Sequence, residues 1–301
     1  MSDKKLCSII VPCYNEEDAI PIYYNTVSPI IDKISDLEFE FWFIDDGSTD
    51  NTLNVVKSLR NDDKRVHFVS FSRNFGKEGG LYAGLQHAKG DYIVTMDVDL
   101  QDPPELLEEM YAAVKDGEYD CAATRRVDRK GEPPIRSFFA RMFYRLINKI
   151  SKADIVDGAR DYRFMTRKMV DSILSMGEYN RFTKGIFGWV GFRTKWIPFE
   201  NVERCAGETK WSFWKLFVYS LDGIAAFSTA PLSIASVMGI LCCLLSFIGA
   251  IFKLVESNDL WSWVFKWAAI GGAATFVGSV IYCLVRDYLD EHKKKKEKKN
   301  K

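Results

Sequence analysis

Two hydrophobic rhythms alternate through the first part of this chain, and few folds accommodate both. Residues 6–11, 39–44, 66–71, 92–96 and 119–124 are short apolar runs, as expected of strands buried on both faces of a parallel sheet. Between them, residues 16–34, 51–59, 77–88 and 104–114 space their apolar side chains as a helix does, the last with proline at its start. Strand and helix in strict turn predict an open α/β sheet. Such sheets hold their ligands at the carboxyl ends of the strands, where the chain order reverses.

Acidic loops fall at those ends. Pro12-Cys13-Tyr14-Asn15-Glu16 closes the first predicted strand, Asp45-Asp46-Gly47-Ser48-Thr49-Asp50 the second, and Asp97-Val98-Asp99-Leu100-Gln101-Asp102 the fourth. Singly, each reads as a turn or a helix cap, with Asp50 and Asp102 placed to cap the helices that follow. Together at one sheet edge they concentrate negative charge that needs a cation or buried donors to offset it. Asp97 and Asp99 stand two residues apart, so both can turn into one pocket. Their oxygen ligands suit Mg²⁺ or Mn²⁺, which typically also hold ligand phosphates, and a nucleotide diphosphate compound follows as the expected ligand. Asp45 and Asp46 fit hydrogen bonding to a base N–H or a ribose hydroxyl. There is no G-x-x-x-x-G-K-[ST] string and no G-x-G-x-x-G after a strand, which disfavours a P-loop ATPase and a dinucleotide oxidoreductase.

Composition narrows the classes further. Lys plus Arg and Asp plus Glu both total 41, so there is no basic excess of the kind a nucleic-acid binder carries. The seven cysteines are scattered and lack a C-x-x-C pair, which points to a reducing compartment, and with three histidines a zinc site is poorly supported. The apolar run near the N-terminus stops at Pro12, too soon for a signal peptide.

Beyond residue 210 the chain changes character. Residues 231–254 carry one charge, Lys253, and residues 267–285 carry none. Each is about 20 residues long, enough to cross the ~30 Å hydrocarbon core. Trp261, Trp263 and Trp267 form an interfacial cluster between them, and a Lys-rich tail follows. The expectation is a cytoplasmic domain over residues 1–210, an interfacial lead-in over 211–230, a transmembrane hairpin over 231–286 and a cytoplasmic tail over 287–301. That makes a multi-pass protein of the cell membrane with its catalytic domain cytoplasmic. Residues 135–152 add an amphipathic segment with Arg141, Arg145, Lys149 and Lys152 on one stripe, read either as a solvated face or as a helix at headgroup level.

The loops named above, with Arg73-Asn74-Phe75-Gly76-Lys77 and the string from Met96 to Glu105, resemble the family-2 glycosyltransferases. More narrowly they resemble the polyprenyl-phosphate sugar synthases, the bactoprenol glucosyltransferases and dolichol-phosphate mannose synthases, over about residues 6–285. The resemblance implies a GT-A fold, which is Rossmann-like, a nucleotide-sugar donor, a divalent metal and inversion at the sugar carbon. It places Pro12, Tyr14, Glu16 and Asp46 on the nucleotide, joined by Asp45 and Asp97, and Asp97, Asp99 and Gln101 around the metal. Asp161-Tyr162-Arg163 matches a segment whose aspartate is proposed as catalytic base, making Asp161 and Arg163 the catalytic candidates. Arg204, Gly207, Glu208, Thr209 and Lys210 match a later motif, with threonine where the family has serine. The family's ordered tail is here a short Lys-rich run, which leaves a homo-oligomer an open expectation. No Gln-x-x-Arg-Trp follows the Asp-x-Asp, so a single transfer is favoured over chain growth.

The resemblance makes the acceptor a polyprenyl phosphate. A phosphate monoester has its second pKa near ~6 and is mostly dianionic at neutral pH, so it needs a base less than a hydroxyl does. Asp161 is therefore expected to position a phosphate proton or Arg163 more than to activate a nucleophile. Cations must offset the acceptor's charge, and Arg125, Arg136 and Arg141, with Arg126 and Arg129, lie where they could. UDP-glucose is the first-choice donor by resemblance, ahead of UDP-N-acetylglucosamine and GDP-mannose. The alternatives are a tethered transferase acting on a glycan or glycolipid hydroxyl, and a non-catalytic membrane scaffold.

Overall fold

The computed structural model describes residues 4–127, 142, 144–149, 155–178, 181–200, 220, 221, 223, 224, 226–255 and 271. Its elements are β1 (Lys5–Cys13), α1 (Ala19–Ile31), β2 (Leu37–Asp45), α2 (Thr52–Asp62), β3 (Val66–Ser70), α3 (Lys77–His87), β4 (Tyr92–Thr95), α4 (Leu106–Lys115) and β5 (Cys121–Arg126). There follow β6 (Ala159–Thr166), α5 (Arg167–Leu174), α6 (Thr183–Trp189), β7 (Thr194–Phe199) and α7 (Ala230–Val255). The first five strands and four helices stand where the alternating rhythms put them. The chain divides into two compact units, Met1–Phe227 and Ser228–Lys301.

In the first unit, seven strands form one sheet in the order β3-β2-β1-β4-β6-β5-β7. Only β6 runs against its neighbours: it pairs antiparallel with both β4 and β5, while β1, β2, β3 and β4 pair in parallel, as do β5 and β7. The sheet is therefore mixed. This reversal matters for the site, because it brings the first residues of β6 to the edge where β1, β2 and β4 end. Thr95 pairs with Arg163, so Asp161 lies beside the chain leaving β4.

Each face of the sheet buries its own core. Ile9, Val11, Phe41, Phe43, Val94, Tyr162 and Phe164 pack with α1 and α4 residues such as Tyr23, Val27 and Leu107. On the other face Ile10, Ile44, Ile93, Ala123 and Met165 pack with Leu85, Met169, Ile173 and Ile186. Fully burying such a side chain contributes about 1.5–3 kcal/mol, which is what holds the strand alternation in register. Helix α3 lies unusually close to β1. A Cβ at Gly84 would sit 2.3 Å from Ile10 Cγ2, so glycine permits this approach and fixes where Lys77, at the start of α3, emerges.

Two strands lay outside the sequence expectation, β6 and β7. Helix α4 begins at Leu106, after Pro103 and Pro104, and Asp102 does not cap it. Within the predicted amphipathic segment, residues 144–149 are helical. Ile147 is buried there, whereas Met142 and Leu146 are exposed.

In the second unit, α7 covers the first predicted span. Its stretch Leu232–Gly249 is long and apolar enough to cross a membrane, and only 17% of it is buried, unlike the core helix of a soluble domain. The second predicted span, the tryptophan cluster, the tail and most of the lead-in lie outside the described residues.

Candidate active site

The loops after β1 and β2 are laced into one wall. Asn15, at φ 53°, donates its N–H to Ser48 Oγ at 2.9 Å, and its Oδ1 accepts from the Thr49 N–H at 2.8 Å. The Glu16 N–H donates to Thr52 Oγ1 at 2.8 Å, and the Asn51 N–H to Glu17 at 2.8 Å. Pro12, Tyr14 and Glu16 are thereby held half-buried on a fixed turn.

Asp45 and Asp46 are buried, and the fold itself engages both. Asp45 accepts from the Ser48 N–H at 3.0 Å and from Ser70 Oγ at 2.7 Å, tying the turn to β3. Asp46 accepts from the Phe75 N–H at 2.7 Å and the Gly76 N–H at 2.9 Å, one on each carboxylate oxygen. Burial raises the Asp46 pKa above the ordinary range despite those two N–H groups. Asp46 thus fixes the Arg73–Lys77 loop. Gly47, at φ +68°, completes the joint: a Cβ there would meet the Arg73 backbone at 2.4 Å.

Across the sheet edge the carboxylates share a side-chain partner. Lys77 Nζ donates to Asp161 Oδ2 at 2.6 Å and lies 2.7 Å from Asp97 Oδ1 and 2.8 Å from its Oδ2. The three side chains are 33%, 17% and 24% exposed for Lys77, Asp161 and Asp97, so the bridge opens to solvent. Burial works against both charged forms, yet the ion pairs outweigh it. Lys77 is raised well above the usual lysine range by Asp161 and Asp97. Asp161 is held well below the usual carboxylate range by Lys77, with Lys184 and Arg160 adding to the effect. Thr95 Oγ1 also donates to the Asp161 carbonyl, which fixes the strand at this point.

Asp99 is buried and accepts from the Gln101 N–H at 3.2 Å, in a turn where Leu100 takes φ 53°. Asp102 is buried and pairs with Arg160 Nε at 2.9 Å. Burial pushes its pKa up to about 6 even with Arg160 beside it.

The donor set fits a hard divalent cation. Among the described residues no three His, Cys, Asp or Glu side chains form a complete metal cage. Asp97 and Asp99 nevertheless offer oxygens at one edge, and the Lys77 ammonium already stands as a cation on Asp97. Mg²⁺ and Mn²⁺ characteristically use one or two carboxylates and complete their shell with water and phosphate oxygens.

The structure thus brings Asp97 and Asp161 together, with Asp99 and Gln101 on the same turn as Asp97. It places Arg163 elsewhere: 3% exposed, its guanidinium 4.1 Å from the Phe187 ring centroid and 5.2 Å from that of Trp196. Arg163 faces aromatic packing in place of the open rim. Arg125 is exposed and donates through Nε to the Asp157 carbonyl at 3.1 Å. Arg136, Arg141, Arg129 and the segment from Arg204 to Lys210 lie outside the described residues.

Sequence reasoning assigned no role to Lys77, Glu78 or Lys184. Glu78, in the first turn of α3, accepts from the Thr183 N–H at 3.0 Å and from the Thr183 hydroxyl, which docks the start of α6 against the start of α3. One signal was available. A lysine opening a helix opposes the helix dipole, and such a placement calls for a local anionic partner.

The comparisons agree with this architecture. Residues 8–174 match the model of glycosyl transferase family 2. A prophage bactoprenol glucosyl transferase homolog of Escherichia coli (strain K12) is 41% identical over 250 residues, covering 83% of this chain and 81% of that protein. The bactoprenol glucosyl transferase of Shigella phage SfV is 39% identical over 250 residues, with 83% and 81% coverage. Mannosyl-3-phosphoglycerate synthase from Rubrobacter xylanophilus shares the fold, with a TM-score of 0.50, 15% identity, and 74% and 72% coverage. With its mixed GT-A sheet and its acidic edge, this chain belongs to glycosyl transferase family 2 and is a glycosyltransferase.

Proposed function

We propose that the protein transfers one sugar, glucose from UDP-glucose, to a polyprenyl phosphate at the cytoplasmic membrane face, with inversion at the anomeric carbon. The observation that carries this reading is the pair Asp97 and Asp161, held side by side at the sheet edge by one lysine. One carboxylate belongs to the acidic turn that suits a metal-bound diphosphate, the other to the strand beside it. The relatives named as bactoprenol glucosyl transferases support the choice of sugar and acceptor. The apolar α7, followed by the second apolar stretch over residues 267–285, supports a membrane hairpin that keeps the acceptor's lipid in reach.

Asp97 and Asp99, with Gln101 beside them, would hold Mg²⁺ or Mn²⁺, which when bound offsets the charge of the donor's diphosphate and of the leaving nucleotide. The residues of the chain do the rest. The wall of Pro12, Tyr14 and Glu16, set by Asp45 and Asp46, positions the nucleotide. An acceptor phosphate oxygen attacks the anomeric carbon from the face opposite the diphosphate. The new carbon–oxygen bond forms as the bond to the diphosphate breaks, and its electron pair leaves with UDP. A dianionic phosphate needs no deprotonation. Asp161, ionised and pinned by Lys77, is poorly matched to general-base work, which favours a proton affinity near the working pH. Its part is to orient Lys77 and the acceptor, and Arg163 supports that strand by packing against Phe187 and Trp196.

The test is a nucleotide-sugar panel with purified full-length protein, Mn²⁺ and undecaprenyl phosphate in detergent. The expected product is a glucosyl phospholipid formed with release of UDP. Transfer to a glycan or lipid hydroxyl, but not to the phosphate, would replace this reading with the tethered hydroxyl transferase. Absence of donor turnover with every sugar would favour the scaffold.

A further inference from the structure

An acceptor phosphate entering this site meets a difficulty of charge. It must come to rest beside Asp161 and near Asp97, both carboxylates, and beside a donor that is itself anionic. Like charges at such spacing repel strongly, so a cation must lie between. Of the two described arginines among those the sequence offered for this task, Arg125 is exposed and donates to the Asp157 carbonyl, and Arg126 is half-buried at the end of β5.

Lys77 meets the requirement. Its ammonium sits between the two carboxylates, and an ammonium has three N–H donors. They face three carboxylate oxygens, both of Asp97 and Oδ2 of Asp161, and a divalent cation taking one Asp97 oxygen would release the N–H now aimed at it. One third of the side chain is open to solvent, so that donor is within reach of a ligand. Lys184 is nearby, partly buried in the first turn of α6, and its charge acts on Asp161. The clamp from Glu78 to Thr183 is what brings the two lysines to the same carboxylate.

Resting on the lipid-phosphate reading above, we propose that Lys77 is the residue that receives the acceptor's phosphate, through the N–H that Asp97 would give up on turning an oxygen to the metal, with Lys184 as the second cation. The bridge would then act as a joint between the two half-sites. One ammonium holds the carboxylate of the donor turn, the carboxylate of β6 and the incoming phosphate in a single cluster.

Direct binding of farnesyl phosphate to full-length protein loaded with Mn²⁺ and UDP tests this, with farnesol as the probe lacking phosphate. Lys77→Met, which keeps length and removes charge, should weaken farnesyl phosphate binding by roughly tenfold to a hundredfold, the cost of a charge-assisted hydrogen bond. Lys184→Met should weaken it less. Lys77→Arg should restore much of the loss, while farnesol binding stays nearly unchanged in all three. Should Lys77→Met fail to fold, Lys184→Met and Lys77→Arg carry the same comparison. Wild-type protein that binds UDP with Mn²⁺ but not farnesyl phosphate would overturn the lipid-phosphate reading, and the role of Lys77 with it. Wild-type binding of farnesyl phosphate that neither methionine variant weakens would overturn the Lys77 assignment alone.

Discussion

Two pairs of aspartates stand along the same sheet edge and are held in opposite ways. Asp45 and Asp46 accept from backbone N–H groups and a serine hydroxyl, all fixed by turns. Asp97 and Asp161 are held by one flexible side chain, Lys77. The first pair cannot release its partners without dismantling a loop. The second shares one ammonium whose side chain is open to solvent over a third of its surface, where a ligand can reach it. The first pair therefore builds the wall, and the second is available for chemistry.

The sharpest way to break that contrast is to remove charge on the working side. Asp99→Asn, on the turn shared with Asp97, should lower sugar transfer by roughly a hundredfold or more and leave the fold intact. EDTA should reproduce the loss in the wild-type protein. Radiolabelled donor turnover, with circular dichroism as the folding control, checks both, and full activity in EDTA would remove the metal from the site.

Asp161→Asn should have a smaller effect. Measurable transfer should persist, and the wild-type rate should rise with an ionisation near ~6, the second pKa of the acceptor. Single-turnover rates across pH at saturating lipid phosphate decide it. Complete loss with donor and acceptor affinity unchanged would make Asp161 a base.

On the wall side the effect should be one of stability. Asp46→Ala strands the Phe75 and Gly76 N–H groups and should cost about 2–4 kcal/mol, whereas Asp46→Asn keeps one acceptor and should cost less. Urea denaturation of the two variants separates them. A destabilisation no larger than that of Asp99→Asn would erase the distinction between wall and working pair.

The smallest effect concerns a framework carboxylate far from the edge. Burial opposes its charge, but Tyr24 and Arg65 hold Asp63 below the usual carboxylate range. A depressed folded pKa gives stability that is present above the unfolded value of about 3.9 and lost as pH falls through the folded one. Asp63→Asn should therefore flatten the acid side of the stability curve and leave its alkaline side unchanged, as thermal melts across pH would show.

The difference between the regions also explains what could be read beforehand. Strands β1 to β5 carry mostly apolar runs, which are visible in the sequence. Strand β6 reads Ala-Arg-Asp-Tyr-Arg-Phe-Met-Thr and hides, because it passes through the site. Arg160 is neutralised by Asp102, Asp161 by Lys77, and Arg163 lies against two rings, all partners distant along the chain. Strand β7 hides for a different reason. It is an edge strand carrying Lys195 and Pro198, residues that an edge accommodates and that interrupt an apolar run. The acidic turns were legible because several acids cluster in a few residues. Lys77 was legible only as part of a string, since its role depends on two carboxylates contributed by separate strands.

The reversed strand also gives the molecule a timetable. β1 to β4 and their helices pair with neighbours close in sequence or through single crossovers, so the wall and the Asp97 turn can assemble once the first hundred or so residues have left the ribosome. β6 must wait. It inserts between β4 and β5 only after residues 159–166 have been made, and pairing across so long a chain separation is slow. The nascent protein would then pass through a stage with the wall of the β1 and β2 loops in place and Asp161 still absent, its acidic edge completed only late in synthesis.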